Sequence, residues 1–146
     1  MLTQDYKLNS GTLVFAILTA MFHILFFVAE SLLWLEPYIY QSFLSSSEAS
    51  IGLFEQAKLM ETIFFNQGFY NLFLALGLVA GIFFAKRGDG VRGTTLISFC
   101  CLFAFGAGIV LALSAGALLG AAVQSFPPMI ALVFLYVAHL KHNQTI

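Results

Sequence analysis

GTLVFAILTAMFHILFFVAESLLW, residues 11–34, decides the fold. Glu30 is the one charged side chain in these 24 residues, and the run is long enough to cross a hydrocarbon layer of ~30 Å. A carboxylate inside such a span costs ~2.5–3.5 kcal/mol on insertion scales, so it needs a partner, a proton or a ligand.

Composition agrees with that stretch. Hydrophobic residues make up 60% of the 146-residue chain and charged residues 9%, against roughly 25% charged in soluble domains. The mean hydropathy is +0.94. An integral membrane protein follows, with room for a single transmembrane domain over residues 1–146. A net charge of −1 and the lack of a dense Lys/Arg tract exclude nucleic acid as a partner. Membrane lipid is the partner that this composition implies.

Apolar runs predict four helices, at about 11–34, 62–85, 94–119 and 120–140. No Asp, Glu, Lys or Arg occurs between Arg92 and Lys141. As one helix that interval would be about 70 Å long, too long for one crossing, so it divides near Leu118 to Ala121. The fold expected is an all-α four-transmembrane-helix bundle. Residues 11–34 are too long for a signal-peptide core and lack a small-residue cleavage site, so this segment is expected to stay in the mature chain. Lys7, Lys86, Arg87, Arg92 and Lys141 fall on one side of such a bundle and Lys58 on the other. The positive-inside rule then puts both termini in the cytoplasm. The outer loop, 35–61, carries cap-like residues at Ser47 to Ser50 and near-helical apolar spacing at Ile51, Phe54 and Leu59. A short interfacial helix leading into the second span is expected there.

The polar residues converge by depth. His23, Phe27, Glu30 and Trp34 share one stripe of the first helix. Asn66, Gln67, Tyr70 and Asn71 begin the second span, and Gln124 begins the fourth beside Pro127 and Pro128. Polar groups at membrane depth face the protein interior or a wet cavity, so these residues are candidates for a ligand-binding pocket around Glu30 open to the outer side.

Plainer readings stand beside each. Glu30 can be a structural tie to the second helix. His23 can be an interhelical hydrogen-bond donor, and with two donors in view no metal site and no cofactor is expected. Trp34, Tyr38 and Tyr40 can form an interfacial aromatic belt. Asn66 and Gln67 can be packing glue, and the two prolines can simply kink a helix. Cys100 and Cys101, adjacent on a helix, read as buried filler. Small residues four apart, Gly77 with Gly81, Ala104 with Gly108 and Gly116 with Gly120, allow close helix packing within the chain. The Gly77/Gly81 and Gly116/Gly120 faces also suit a homodimer.

The segments HILFFVAESLLW, 23–34, and FNQGFYNLFLALGL, 65–78, resemble the two signatures of the DUF1304 family of small bacterial membrane proteins. Those signatures are a His and a Glu seven apart ahead of an aromatic, then an N-Q-G-x-Y-N run followed by F-L-A. The family pattern usually has a second Glu beside the His, where this chain has Phe22. The resemblance implies an inner-membrane protein of unassigned function, and its motif falls on His23, Glu30, Trp34, Asn66, Gln67, Gly68, Tyr70 and Asn71.

No catalytic signature is present. The leading expectation is a protein that binds or translocates a small polar or amphiphilic molecule, with Glu30 as proton or cation acceptor. The alternatives are an enzyme on a lipid or quinone using Glu30 and His23, and a non-catalytic subunit of a larger membrane complex.

Overall fold

The computed structural model describes residues 8–44 and 51–143. Its elements are α1 (Ser10–Phe27), continued by a π-helical turn (Val28–Leu32), then α2 (Pro37–Phe43), α3 (Leu53–Lys86), α4 (Gly90–Ala115) and α5 (Leu118–Asn143). Four of these segments are long and apolar enough to cross a membrane, the first comprising α1 with its π turn. No strand occurs among the described residues. The chain is a multi-pass helical membrane protein.

Helix ends follow local chemistry. The π turn closes with Leu33 N–H donating to Val28 O at 3.0 Å, one residue wider than an α turn. Glu36 is extended, as the residue before a proline prefers, and Pro37 starts α2 where its missing N–H costs nothing. Between α3 and α4 the chain turns through Gly88 at φ +88°, a conformation that favours glycine. Asp89 Oδ1 then accepts from Arg92 N–H and caps α4. Gly116, at φ +63°, ends α4 in the left-handed conformation.

Three boundaries differ from the sequence reading. The break between the last two spans lies at Gly116 and Ala117, slightly ahead of the expected 118–121, because the left-handed glycine sets it. The apolar spacing at Phe54 and Leu59 is helical but belongs to α3, which runs unbroken for 34 residues. The separate short helix of the loop is α2, earlier than expected; the cap-like residues 47–50 lie outside the described residues. At 1.5 Å per residue α3 is about 51 Å long, so roughly its last 20 residues suffice for the hydrocarbon and the rest extends past it.

The chain divides into two compact units, one of residues 1–22 with 74–146 and one of residues 23–73. In the first, parts of four helices enclose one core: Ala16 and Ala20 of α1, Ala75 and Leu78 of α3, Ile97, Cys100 and Cys101 of α4, and Ala131 of α5. Small side chains dominate it, as lipid-embedded helices require for close approach. A Cβ at Gly77 would stand 2.8 Å from Cys100 Sγ, and one at Gly81 would stand 2.9 Å from Ile97 Cγ1, so both glycines press α3 against α4. Gly108 meets Ala121 and Ser125 of α5 in the same way. Both cysteines are free and buried here. Pro127 and Pro128 are buried within α5, which continues through them.

The second unit has its own core, in which Trp34, Tyr40 and Ala57 are buried and Leu35, Ile39, Leu44, Leu53, Met60 and Phe64 pack around them. It joins the end of α1, α2 and the first half of α3. It also carries Glu30.

Candidate functional site

Glu30 sits in the middle of the π turn and is 6% exposed. π turns inside helices recur at functional sites because they offset the side chains on either side of them. The carboxylate accepts a hydrogen bond from Asn71 Nδ2 at 2.8 Å, and Asn71 is itself buried. One residue on, Ser31 Oγ donates to Phe65 O at 2.8 Å. These two bonds tie the π turn to α3.

Gly68 makes that approach possible. A Cβ there would collide with Ser31 Oγ and lie 3.0 Å from Ser31 N and 3.1 Å from Phe27 O. Above it, Trp34 lies parallel to Phe64, ring centroids 3.6 Å apart, and its Nε1 donates to Ala57 O at 2.8 Å. Trp34 is 3% exposed, so the aromatic-belt reading is corrected: the indole is a buried strut between the α1 end and α3. Tyr40 is buried as well, and of the three aromatics expected at the interface only Tyr38 is exposed.

A small cavity of about 140 Å³ opens beside the π turn, lined by Glu30, Ser31, Leu32, Trp34, Leu35, Glu61 and Phe65. Two carboxylates and two aromatic side chains therefore share one space. Glu61 falls at the end of the 35–61 stretch that the sequence reading assigns to the outer loop, whereas the structure places it within α3. Its position seven residues before Gly68 on the same face of α3 was the available signal.

The candidate residues do not all meet. Glu30 and Asn71 are bonded, and Trp34 lines the same cavity as Glu30. Asn66, Gln67 and Tyr70 are exposed on α3 and do not line that cavity. Phase explains it: at about 100° per residue, Asn66 and Tyr70 fall roughly 160° from Gly68 and Gln67 about 100° from it, whereas Glu61, Phe64, Phe65 and Asn71 fall within about 60°. His23 is 1% exposed, its ring edge-on to Phe26 with centroids 6.0 Å apart, and does not line the cavity either. Gln124 is buried in the other unit. Among the described residues, no group of three His, Cys, Asp or Glu side chains could hold a metal ion.

A family model described as "Protein of unknown function (DUF1304)" matches residues 17–136, which span both signatures quoted above. Neither the curated proteins nor the solved structures gave a match.

Proposed function

We propose that this chain, which belongs to the DUF1304 family, binds a small organic cation of the alkylammonium class in the cavity beside Glu30. The observation that carries this reading is the pairing of Glu30 and Glu61 with Trp34 and Phe65 around one space. Carboxylates supply charge and hydrogen-bond acceptors for an ammonium group, and aromatic faces attract the same cation. A volume of about 140 Å³ is below the 300–1,000 Å³ typical of drug-sized ligands, so the ligand is a few heavy atoms in size. Glu30 stands level with Asn71, about one helical turn inside the hydrocarbon edge when ~20 residues are counted back from Lys86. A cation reaches that level from the surface without crossing the membrane. Binding comes first in this reading; translocation is its extension, tested by uptake into protein-containing vesicles.

The chain's one tryptophan supplies the assay, because it lines the cavity. Ethylammonium titrated into the purified protein is expected to change Trp34 fluorescence saturably, and sodium at equal ionic strength to leave it unchanged. Glu30→Gln, which keeps an acceptor for Asn71 but removes the charge, is expected to abolish the change. A response equal in Glu30→Gln would overturn the reading.

A second reading, a subunit of a larger membrane complex, is favoured by one observation: Asn66, Gln67 and Tyr70 are exposed close together near the middle of α3. We also propose that both termini lie in the cytoplasm of a bacterial inner membrane, on the charge asymmetry of Lys86, Arg87, Arg92 and Lys141 against Lys58.

A further inference from the structure

A second cavity lies outside the carboxylate site. It is a half-open groove of about 520 Å³ between α4 and α5, lined among others by Val91, Thr94, Ser98, Leu135, Tyr136 and His139. Positions 91, 94 and 98 form one stripe of α4, and 132, 135, 136 and 139 one stripe of α5. The groove therefore runs along both helices for about two turns, roughly 10 Å.

Its place in the hairpin fixes which end of the span it occupies. α4 and α5 join at Gly116, so the start of α4 and the end of α5 lie together at the opposite end, where the groove is. That end also carries the basic residues. Arg92 follows the lining residue Val91, Lys141 stands two positions after His139, and Lys86 and Arg87 close the turn into α4. Asp89 is the one acid there among the described residues, and it is taken up by the α4 cap and by Arg92 Nη1 at 3.2 Å.

We propose that this groove seats an anionic phospholipid drawn from the bilayer. Three features argue for that occupant over a neutral amphiphile or a protein. The volume suits a chain-sized ligand. The wall is mixed, with Val91, Leu132 and Leu135 for an acyl chain and the hydroxyls of Thr95, Ser98 and Tyr136 for glycerol and ester oxygens. The mouth lies at a basic rim, and basic sites between transmembrane helices on such a side recruit acidic headgroups. Tyr136 and Thr95 are exposed, which leaves the groove open sideways to lipid.

The test uses Tyr136→Trp as a reporter inside the groove, with the unsubstituted chain giving the background of Trp34. The protein is reconstituted in vesicles of phosphatidylcholine and phosphatidylglycerol, with brominated acyl chains placed in one lipid at a time. Brominated phosphatidylglycerol is expected to quench the reporter at a several-fold lower fraction than brominated phosphatidylcholine. Arg92→Gln and Lys141→Gln are each expected to weaken that preference by about fivefold, the effect of one basic residue at an anionic surface. Ser98→Leu, which fills the groove without altering charge, is expected to reduce quenching by both lipids. If circular dichroism shows that variant unfolded, Thr95→Leu on the exposed rim replaces it. Equal quenching by the two lipids, no quenching by either because protein covers the groove, or an unchanged response in the filled variant would each overturn the proposal.

Discussion

At the scale of single residues, the Glu30–Asn71 bond is the decisive contact. A buried carboxylate that loses its donor is worse off than one replaced together with it, because the unsatisfied group keeps its full desolvation cost. Asn71→Leu is expected to destabilise the protein in detergent by about 2 kcal/mol, read from denaturant unfolding, and Glu30→Leu in the same chain to recover part of that loss. If the two losses simply add, the bond carries no coupling and the tie is not structural. Trp34 invites a graded series. Trp34→Phe keeps the stack on Phe64 and removes the bond to Ala57, a loss of about 1 kcal/mol, whereas Trp34→Ala is expected to cost about 3–5 kcal/mol by emptying the core of its unit. The sequence marked both Glu30 and Trp34 as special because charge and indole stand out in an apolar run. It did not reveal that the indole N–H has a buried carbonyl to meet, since Ala57 carries no signal of its own.

At the scale of elements, the π turn and α3 are matched through Gly68. Gly68→Ala is expected to push the two segments apart and to cost about 1–3 kcal/mol, by thermal unfolding, with part of the loss relieved when Ser31→Ala removes the nearest atom. An unaffected melting point in Gly68→Ala would mean that the helices are not held this closely. Depth along α3 was legible in the sequence, because Lys58 and Glu61 mark one end and Lys86 the other. Direction around α3 was not. Leu59, Ile63, Phe65, Phe73, Leu76, Val79 and Phe83 are all exposed, so the helix is apolar on every side and no stripe announces which face meets α1. For that reason Asn66, Gln67 and Tyr70 were grouped with Glu30 by level, when only Asn71 shares its azimuth. The wide turn at Val28–Leu32 had no marker either, since its residues contain no Gly or Pro to interrupt the helix.

At the scale of the whole molecule, topology is the testable claim. With four spans, a cysteine in the loop after α1 and one at the end of α5 belong on opposite sides of the membrane. Cys100 and Cys101 are buried and should stay silent toward a membrane-impermeant maleimide. Ser42→Cys is expected to be labelled in intact bacteria, and Lys141→Cys only after permeabilisation. Labelling of both from the same side contradicts an even number of spans; the reverse pattern contradicts the orientation alone.

Legible in the chain alone were the membrane class, the four spans, the end of α3 at Lys86, the family membership and the unusual setting of Glu30 as a charge inside a span. These follow from quantities local to the chain: run length against bilayer thickness, the cost of a charge in hydrocarbon, and motif identity. The partner of Glu30, the burial of Trp34, the entry of Glu61 into the same cavity and the groove between α4 and α5 came from packing between helices. In lipid the outside of a helix is as apolar as its packed face, so the hydrophobic pattern that orients helices in water is missing here. Rotation about each axis is then set by where small residues let backbones touch and where a few hydrogen bonds close, and both depend on two helices at once.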